Sequence, residues 1–545
     1  MSEEKKTPDL SGVLHKEITD ALPEEVEEKV DAWFGKLAEG QGVALRNPLP
    51  EPPPDRESEN RVMLQGFEWY LPSGGHWQRL RELAGDFAQM GVGGVWLPPC
   101  CKATGPDDVG YGVYDLWDLG EFNQKGGVRT KYGTREELEA LIDALHDKGM
   151  QVYLDVVLNH KAGADETELF AAVKVNPDNR EEQISEPYDI LGWTRFTFPG
   201  RGGKYSPFVW GFQHFTAVDW DAANNEGGIF RILGENKGFA PKVDQEKGNF
   251  DYLMFADVDY RNREVMEETL RWGEWLVRTL PIDGMRLDAV KHINSSFISV
   301  FLRQTRLGAG RPLYFVGEYW NADENLLMGY LNATGGQMAL FDVALHFNFK
   351  QASDQGGDYD LRGIYSGTLI EKSDWSAVTF VDNHDSQQGQ ALESWVHQPF
   401  KLLAYALILL RREGYPCLFW GDYYGIAGGP APQEGLKLQL DPMLRARLLY
   451  AYGEQVDYFD DPDCIGWLRL GHSGHENSGL AVLISNRGEG RKRMVFGPEN
   501  AGTQWRDLMG GVDETVTLDE QGGGEFVCRE NYPAVYIRIQ EDTKE

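Results

Sequence analysis

Basic residues are scarce in this chain of 545: 53 Lys and Arg stand against 86 Asp and Glu, a formal charge of −33 and a pI near 4.7. Nucleic-acid binding needs basic surface to meet phosphates, and an anionic bilayer attracts the same charge. Neither nucleic acid nor membrane is an expected partner. No apolar run reaches the roughly 18 residues of a spanning helix; the longest, Leu402 to Leu410, suits a buried helix. Cysteine is sparse as well. Its five occurrences, Cys100, Cys101, Cys417, Cys464 and Cys528, form an odd set with one adjacent pair, which argues for reduced thiols rather than a disulfide framework. The opening Met1-Ser2-Glu3-Glu4-Lys5-Lys6 lacks the apolar core of a secretory signal, giving the expectation of a cytoplasmic protein.

What is plentiful points elsewhere. There are 63 Gly, 16 Trp and 23 Tyr, and glycine exceeds its usual share of about 7%. Loops carrying carboxylates and aromatic rings suit neutral, hydroxyl-rich ligands. At roughly 150 residues per domain the length implies three or four units. The stretch Leu14 to Leu37 reads as two acidic helices broken at Pro23, followed by the proline-rich run Pro48 to Pro54, so residues 1–60 form an appendage and linker.

From Arg61 short apolar strands alternate with amphipathic helices. The strands VMLQGFEWY, GVWLPP, VYLDVVLNH, GMRLDAV, LYFVGEYW, AVTFVDNHD and CLFWGD stand out, with helices expected around Trp77 to Met90 and Glu136 to Lys148. Strands apolar on both faces and separated by helices predict a parallel sheet, and polar residues at each strand end fit an α/β (β/α)8 TIM barrel. No glycine-rich phosphate loop follows the first strand, which disfavours an open doubly wound sheet. The expected division is a barrel over 61–160 and 264–451, a small domain inserted after strand 3 over 161–263, and an antiparallel C-terminal β-sandwich over 452–545.

Three strand-end carboxylates carry the chemistry: Asp288, Glu318 and Asp385. Arg286 and Asp288 are two apart on a strand and share a face, so the guanidinium should keep Asp288 ionised as a nucleophile needs. Glu318, near other negative charges, is expected to hold its proton and act as general acid. A close pair of carboxyl groups is the requirement for retaining glycoside hydrolysis, and Asp385 would support positive charge at the anomeric carbon. Any one of the three alone would equally suit a helix cap or a solvated loop.

The motifs Asp155 to His160, Gly284 to His292, Phe315 to Glu318 and Val381 to Asp385, in this order, resemble those of the α-amylase family, glycoside hydrolase family 13, closest to its liquefying bacterial type and intracellular relatives. Stretches 109–126 and 129–134 extend the similarity. The resemblance implies endo-acting hydrolysis of α-1,4-glucosidic bonds in starch, glycogen or maltodextrins by a monomer, with Asp288, Glu318 and Asp385 in the roles above. It implies that Tyr111, His160, Arg286 and His384 bind the glucosyl unit at the cleavage point, and that Lys291 and His292 line the leaving-group side. Trp69 and Trp320 are further platforms or barrel packing. Two alternatives share the pattern: a 4-α-glucanotransferase, and a non-catalytic barrel that binds glucan or a partner protein.

The acidic run Asp251 to Asp259 reads on spacing alone as a surface loop or as a set of hard oxygen donors. The resemblance implies one structural calcium held by Asn159, Asp251, Asp257 and the backbone carbonyl of His292. Relatives of this type often carry further ions on aspartates at positions that here are Thr216 and Ala240, so a multi-ion cluster is not expected. Met254 is expected near the cleft as an oxidation-sensitive residue.

Overall fold

A computed structural model describes residues 60–540. The expected helices at Leu14 to Leu37 and the proline-rich stretch after them lie outside the described residues. Eight parallel strands close into a barrel in which each pairs with its neighbours in sequence. They are β1 (Val62–Gln65), β2 (Val92–Leu97), β3 (Gln151–Val156), β4 (Gly284–Leu287), β5 (Tyr314–Gly317), β6 (Ala339–Phe341), β7 (Ala377–Phe380) and β8 (Tyr415–Phe419). Apart from Gln151 and Tyr314, the barrel strands are buried throughout, which explains their unbroken apolar pattern. Seven match the expected strands. The eighth, β6, has only three residues and no polar alternation to reveal it.

A helix follows every strand: α1 (His76–Gln89), α2 (Arg135–His146), α3 (Arg263–Thr279), α4 (Ser295–Ala309), α5 (Glu324–Ala333), α6 (Val343–Gln355), α7 (Gln398–Leu409) and α8 (Lys437–Leu449). Local chemistry sets their starts. Thr134 accepts from the Glu137 amide while Glu137 reaches back to the Thr134 amide, a capping box that begins α2. Asn262 caps α3, whose Val265, Met266, Trp272 and Leu276 turn inward at helical spacing. Helix α7 is buried on nearly all sides, as the apolar run predicts.

Between β3 and α3 the chain forms a four-stranded antiparallel sheet, ordered Tyr188–Arg195, Glu166–Val175, Glu226–Ile232 and Ala217–Asp221. Its two ends are zipped together where His160–Lys161 pairs antiparallel with Ala256–Asp257. After α8 a six-stranded sheet and the ribbon Gly490–Val495 with Gly523–Cys528 enclose Leu468, Met494, Phe496, Trp505, Phe526 and Tyr536. This C-terminal unit meets the barrel through the Trp467 indole, which donates to the Leu410 carbonyl at 3.2 Å, and through Arg411 on Asp457 at 2.7 Å.

Candidate active site

Because all eight strands run the same way, the residues just beyond their C-terminal ends gather at one mouth. Asp288 follows β4 and Glu318 follows β5, while Asp385 lies five residues past β7. The backbone ties two of them together: the Glu318 amide donates to the Leu287 carbonyl at 2.9 Å, and the Val290 amide donates to the Glu318 carbonyl at 3.0 Å. Between them Ala289 adopts a left-handed conformation (φ 48°, ψ 40°), and its backbone N–H donates to the Glu318 carboxyl.

Arg286, fully buried on β4, is the hub. One guanidinium nitrogen donates to Asp288 at 2.7 Å and to Asp155 at 2.8 Å, and the other donates to Glu318. Asp155, near the end of β3, also accepts from the Tyr111 hydroxyl at 2.8 Å and the Trp96 indole at 3.1 Å. Asp288 and Glu318 are themselves hydrogen-bonded through their carboxyl groups. That contact belongs to the close pairs of retaining sites, since inverting sites hold their carboxyls apart to admit a water.

Burial is the first cause of the electrostatics. It pushes Asp288 and Glu318 above the usual carboxylate range; Arg286 pulls each back in part, and the Asp288 charge adds a smaller rise to Glu318. Asp385 is pushed far up by burial and then by Glu318, and Asp155 up to about 7. Arg286 acts on Asp288 in the expected direction, but desolvation opposes it and is the larger of the two. Asp155, Asp288 and Glu318 are buried and Asp385 is partly open to the cleft, so a single guanidinium serves four neighbouring carboxyl groups and a shared proton is favoured.

A cleft of about 940 Å³ opens above these groups, lined by Asp288, Glu318 and Asp385 with Trp69, Tyr111, His160, Met254, Lys291, His292 and Trp320. Arg286 and His384 lie one layer deeper, with no exposed surface. The rings of Trp69 and His384 lie nearly parallel to Tyr111, at 5.9 and 5.0 Å from it. His384 is 3.4 Å from Asp385 and meets the Gln65 amide at 3.0 Å. Burial lowers the His160 imidazole to about 4 and that of His292 to about 3, so both are neutral near pH 7. Lys291 bridges Glu246 at 2.9 Å and the Trp320 carbonyl at 3.0 Å. Trp320 packs edge-on against Phe347 while facing the cleft, so platform and packing coincide. Asp155 opens the first of the four motifs yet has no role expected from sequence; an acid inside an otherwise apolar strand is the signal that marks it.

At the root of the insertion the side chains of Asp251 and Asp257 are hydrogen-bonded to one another, both buried and both raised by burial, Asp251 to about 7. Asn159 donates to Asp257 at 3.3 Å. No group of three or more His, Cys, Asp or Glu side chains forms a metal cluster among the described residues; the expected set has only two carboxylates, an amide and a carbonyl. Its oxygen donors and facing carboxyls fit a hard divalent cation. Thr216 donates its hydroxyl to Asp257, and the Ala240 amide donates to Asp251 at 2.9 Å. Asp259 is bound instead by Arg261 at 2.9 Å and Lys237 at 3.3 Å.

Paired carboxyls on a shared guanidinium, under a ring-lined cleft at the mouth of a (β/α)8 barrel, define a glycoside hydrolase. Comparison with known proteins narrows the class. Residues 75–441 match the model of the α-amylase catalytic domain. The chain is 49% identical over 506 residues to an α-amylase of Geobacillus stearothermophilus, covering 93% of this chain and 92% of that one. It is 43% identical over 490 residues to the cytoplasmic α-amylase of Escherichia coli, covering 88% and 99%. Its fold is similar to the crystal structure of the Geobacillus thermoleovorans α-amylase complexed with acarbose, with a TM-score of 0.56 at 19% identity over 89% of this chain and 99% of that one. The chain belongs to the α-amylase family.

Proposed function

We propose that this enzyme cleaves internal α-1,4-glucosidic bonds by a retaining double displacement. Asp288 attacks the anomeric carbon while Glu318 protonates the departing glycosidic oxygen. Glu318, now ionised, takes a proton from the water that releases the glycosyl group from Asp288. Asp385 supports the positive charge that develops at the ring between the two states. The observation that carries this reading is the hydrogen-bonded Asp288–Glu318 pair on one guanidinium. Tyr111, Trp69 and Trp320 would present ring faces to the sugar, with His160, Lys291 and His292 around its hydroxyls, while Arg286 and His384, expected to bind the glucosyl unit, support the carboxyl groups from beneath.

The oxygen donors at the root of the insertion suit calcium. An ion on Asn159, Asp251, Asp257 and the His292 carbonyl would neutralise the facing carboxyls and fasten the insertion to the barrel, taking no part in bond cleavage. Among the described residues no helix is long and apolar enough to cross a membrane. The name of the Escherichia coli relative supports a cytoplasmic address, which favours glycogen or maltodextrin as substrate. Purified protein with maltoheptaose tests the mechanism: the first products should be α-anomers and Asp288→Asn should abolish them, whereas β-anomeric products would refute retention.

A further inference from the structure

The C-terminal β domain contains a chemical feature that glucan hydrolysis does not use. Cys464 begins a strand of the six-stranded sheet (Cys464–Arg469), and Cys528 ends a strand of the two-stranded ribbon (Gly523–Cys528). Far apart in sequence, the two thiols are buried and hydrogen-bonded to each other. Gly490, paired with Cys528 across the ribbon, leaves the space they fill. A Cβ added there would lie 2.7 Å from the Cys464 sulfur and 2.8 Å from that of Cys528. Gly490 has no left-handed backbone angle, so room for the sulfurs is what a side chain here would remove.

We propose that Cys464 and Cys528 are a redox site that closes reversibly into a disulfide when a hydroperoxide reaches the domain, stapling the ribbon to the six-stranded sheet. The pair is asymmetric. The hydrogen bond from the Cys528 thiol favours the Cys464 thiolate and outweighs burial, which opposes it; Lys492, inward-facing two residues after Gly490 and ion-paired with Asp460, adds a smaller pull against Asp461 and Asp460. The Gly490 amide donates to the Cys528 sulfur, while its hydrogen bond to Cys464 and then burial hold that thiol protonated. Cys464 is also the nearer to solvent, being 5% exposed where Cys528 is fully covered.

The steps follow from that asymmetry. The Cys464 thiolate attacks one peroxide oxygen, the O–O bond breaks, and hydroxide leaves with a sulfenic acid on Cys464. The Cys528 sulfur then attacks Cys464, its proton passes to the departing hydroxyl, and water is released. Two thiols and one hydrogen peroxide give one disulfide and two waters, the two electrons passing from sulfur to oxygen. A dithiol reverses the bond by exchange.

The experiment treats native full-length protein with hydrogen peroxide, blocks remaining thiols with iodoacetamide under denaturing conditions, and maps peptides without reductant. Met254, 38% exposed in the cleft, reports by its sulfoxide that oxidant reached the protein. The expected result is a cross-linked peptide joining Cys464 to Cys528, lighter by about 2 Da than the two thiol peptides and absent after dithiothreitol. In Cys528→Ser, which leaves the barrel untouched, a dimedone adduct should appear at Cys464. Both cysteines still blocked by iodoacetamide while Met254 is oxidised would overturn the proposal, as would sulfonic acid at Cys464 with no cross-link.

Discussion

At the scale of single residues, the proposed double displacement needs Asp288 ionised and Glu318 protonated. Activity should fall on the acid side as Asp288 takes up a proton, and on the alkaline side as Glu318 loses one. Burial raises both groups, so both limbs of the kcat/KM profile should lie above the ordinary carboxylate values of about 4. Their midpoints will belong to the coupled pair rather than to either residue. A pH–rate profile on maltoheptaose checks this; two limbs below about pH 5 would contradict it. Asp155 is the residue that sequence reading leaves without a role. It sits in β3 as one acid among apolar neighbours, and its partners Tyr111, Trp96 and Arg286 are 44, 59 and 131 residues away, so its function exists only once the barrel closes. Asp155→Asn keeps the shape but frees Arg286 and Tyr111 to shift, and kcat should drop about 10²-fold with a higher KM for maltoheptaose. Unchanged steady-state kinetics would show that Arg286 needs no second anchor. The three carboxylates of the cleft, by contrast, were legible because Asp288 and Glu318 directly follow apolar strands and Asp385 lies in the polar run just beyond another.

At the scale of elements, two expected helices fall within two residues of α1 and α2, because periodicity and the Thr134–Glu137 capping box point the same way. Strand β6 escaped. Ala339–Phe341 is three apolar residues beside Met338, a run that cannot be told from buried helix by pattern alone; only its neighbours β5 and β7 make it a strand. The turn after β4 is a second feature invisible in sequence, since alanine carries no sign of a left-handed conformation. That conformation costs an L-residue about 1–2 kcal/mol, and it turns the Ala289 amide toward Glu318. Ala289→Gly should raise stability by up to about 1 kcal/mol with activity kept. Ala289→Val should lower both, because a branched side chain resists this geometry. Urea unfolding midpoints and kcat for the two variants decide the matter; equal stabilities would remove the strain.

At the scale of the molecule, the excess of 33 negative charges remains after every cation is counted, and several buried carboxylates have cations of their own. Lys401 joins Asp382 at 2.8 Å and Asp422 at 2.5 Å, and Arg201 meets Asp115 at 2.8 Å, all buried. The inserted unit was legible as an interruption of the strand–helix alternation, whereas its four-stranded order was not, since register depends on partners rather than on composition. Its junction with the barrel gives the last prediction. Asp251 and Asp257 face each other, both pushed up by burial, while Asp259 already has Arg261 and Lys237. Calcium should therefore bind with a stoichiometry of one per chain in equilibrium dialysis, and a chelator should lower the thermal midpoint. At a hundred times its dissociation constant one ion adds about 2.7 kcal/mol. Asp257→Asn should erase the difference between calcium and chelator. Asp259→Asn should destabilise the protein equally in both, because it takes the carboxylate from two partly buried cations rather than removing a ligand. Two or more tightly held ions per chain, or a calcium response lost in Asp259→Asn but kept in Asp257→Asn, would move the ion to the Asp259 side of the junction.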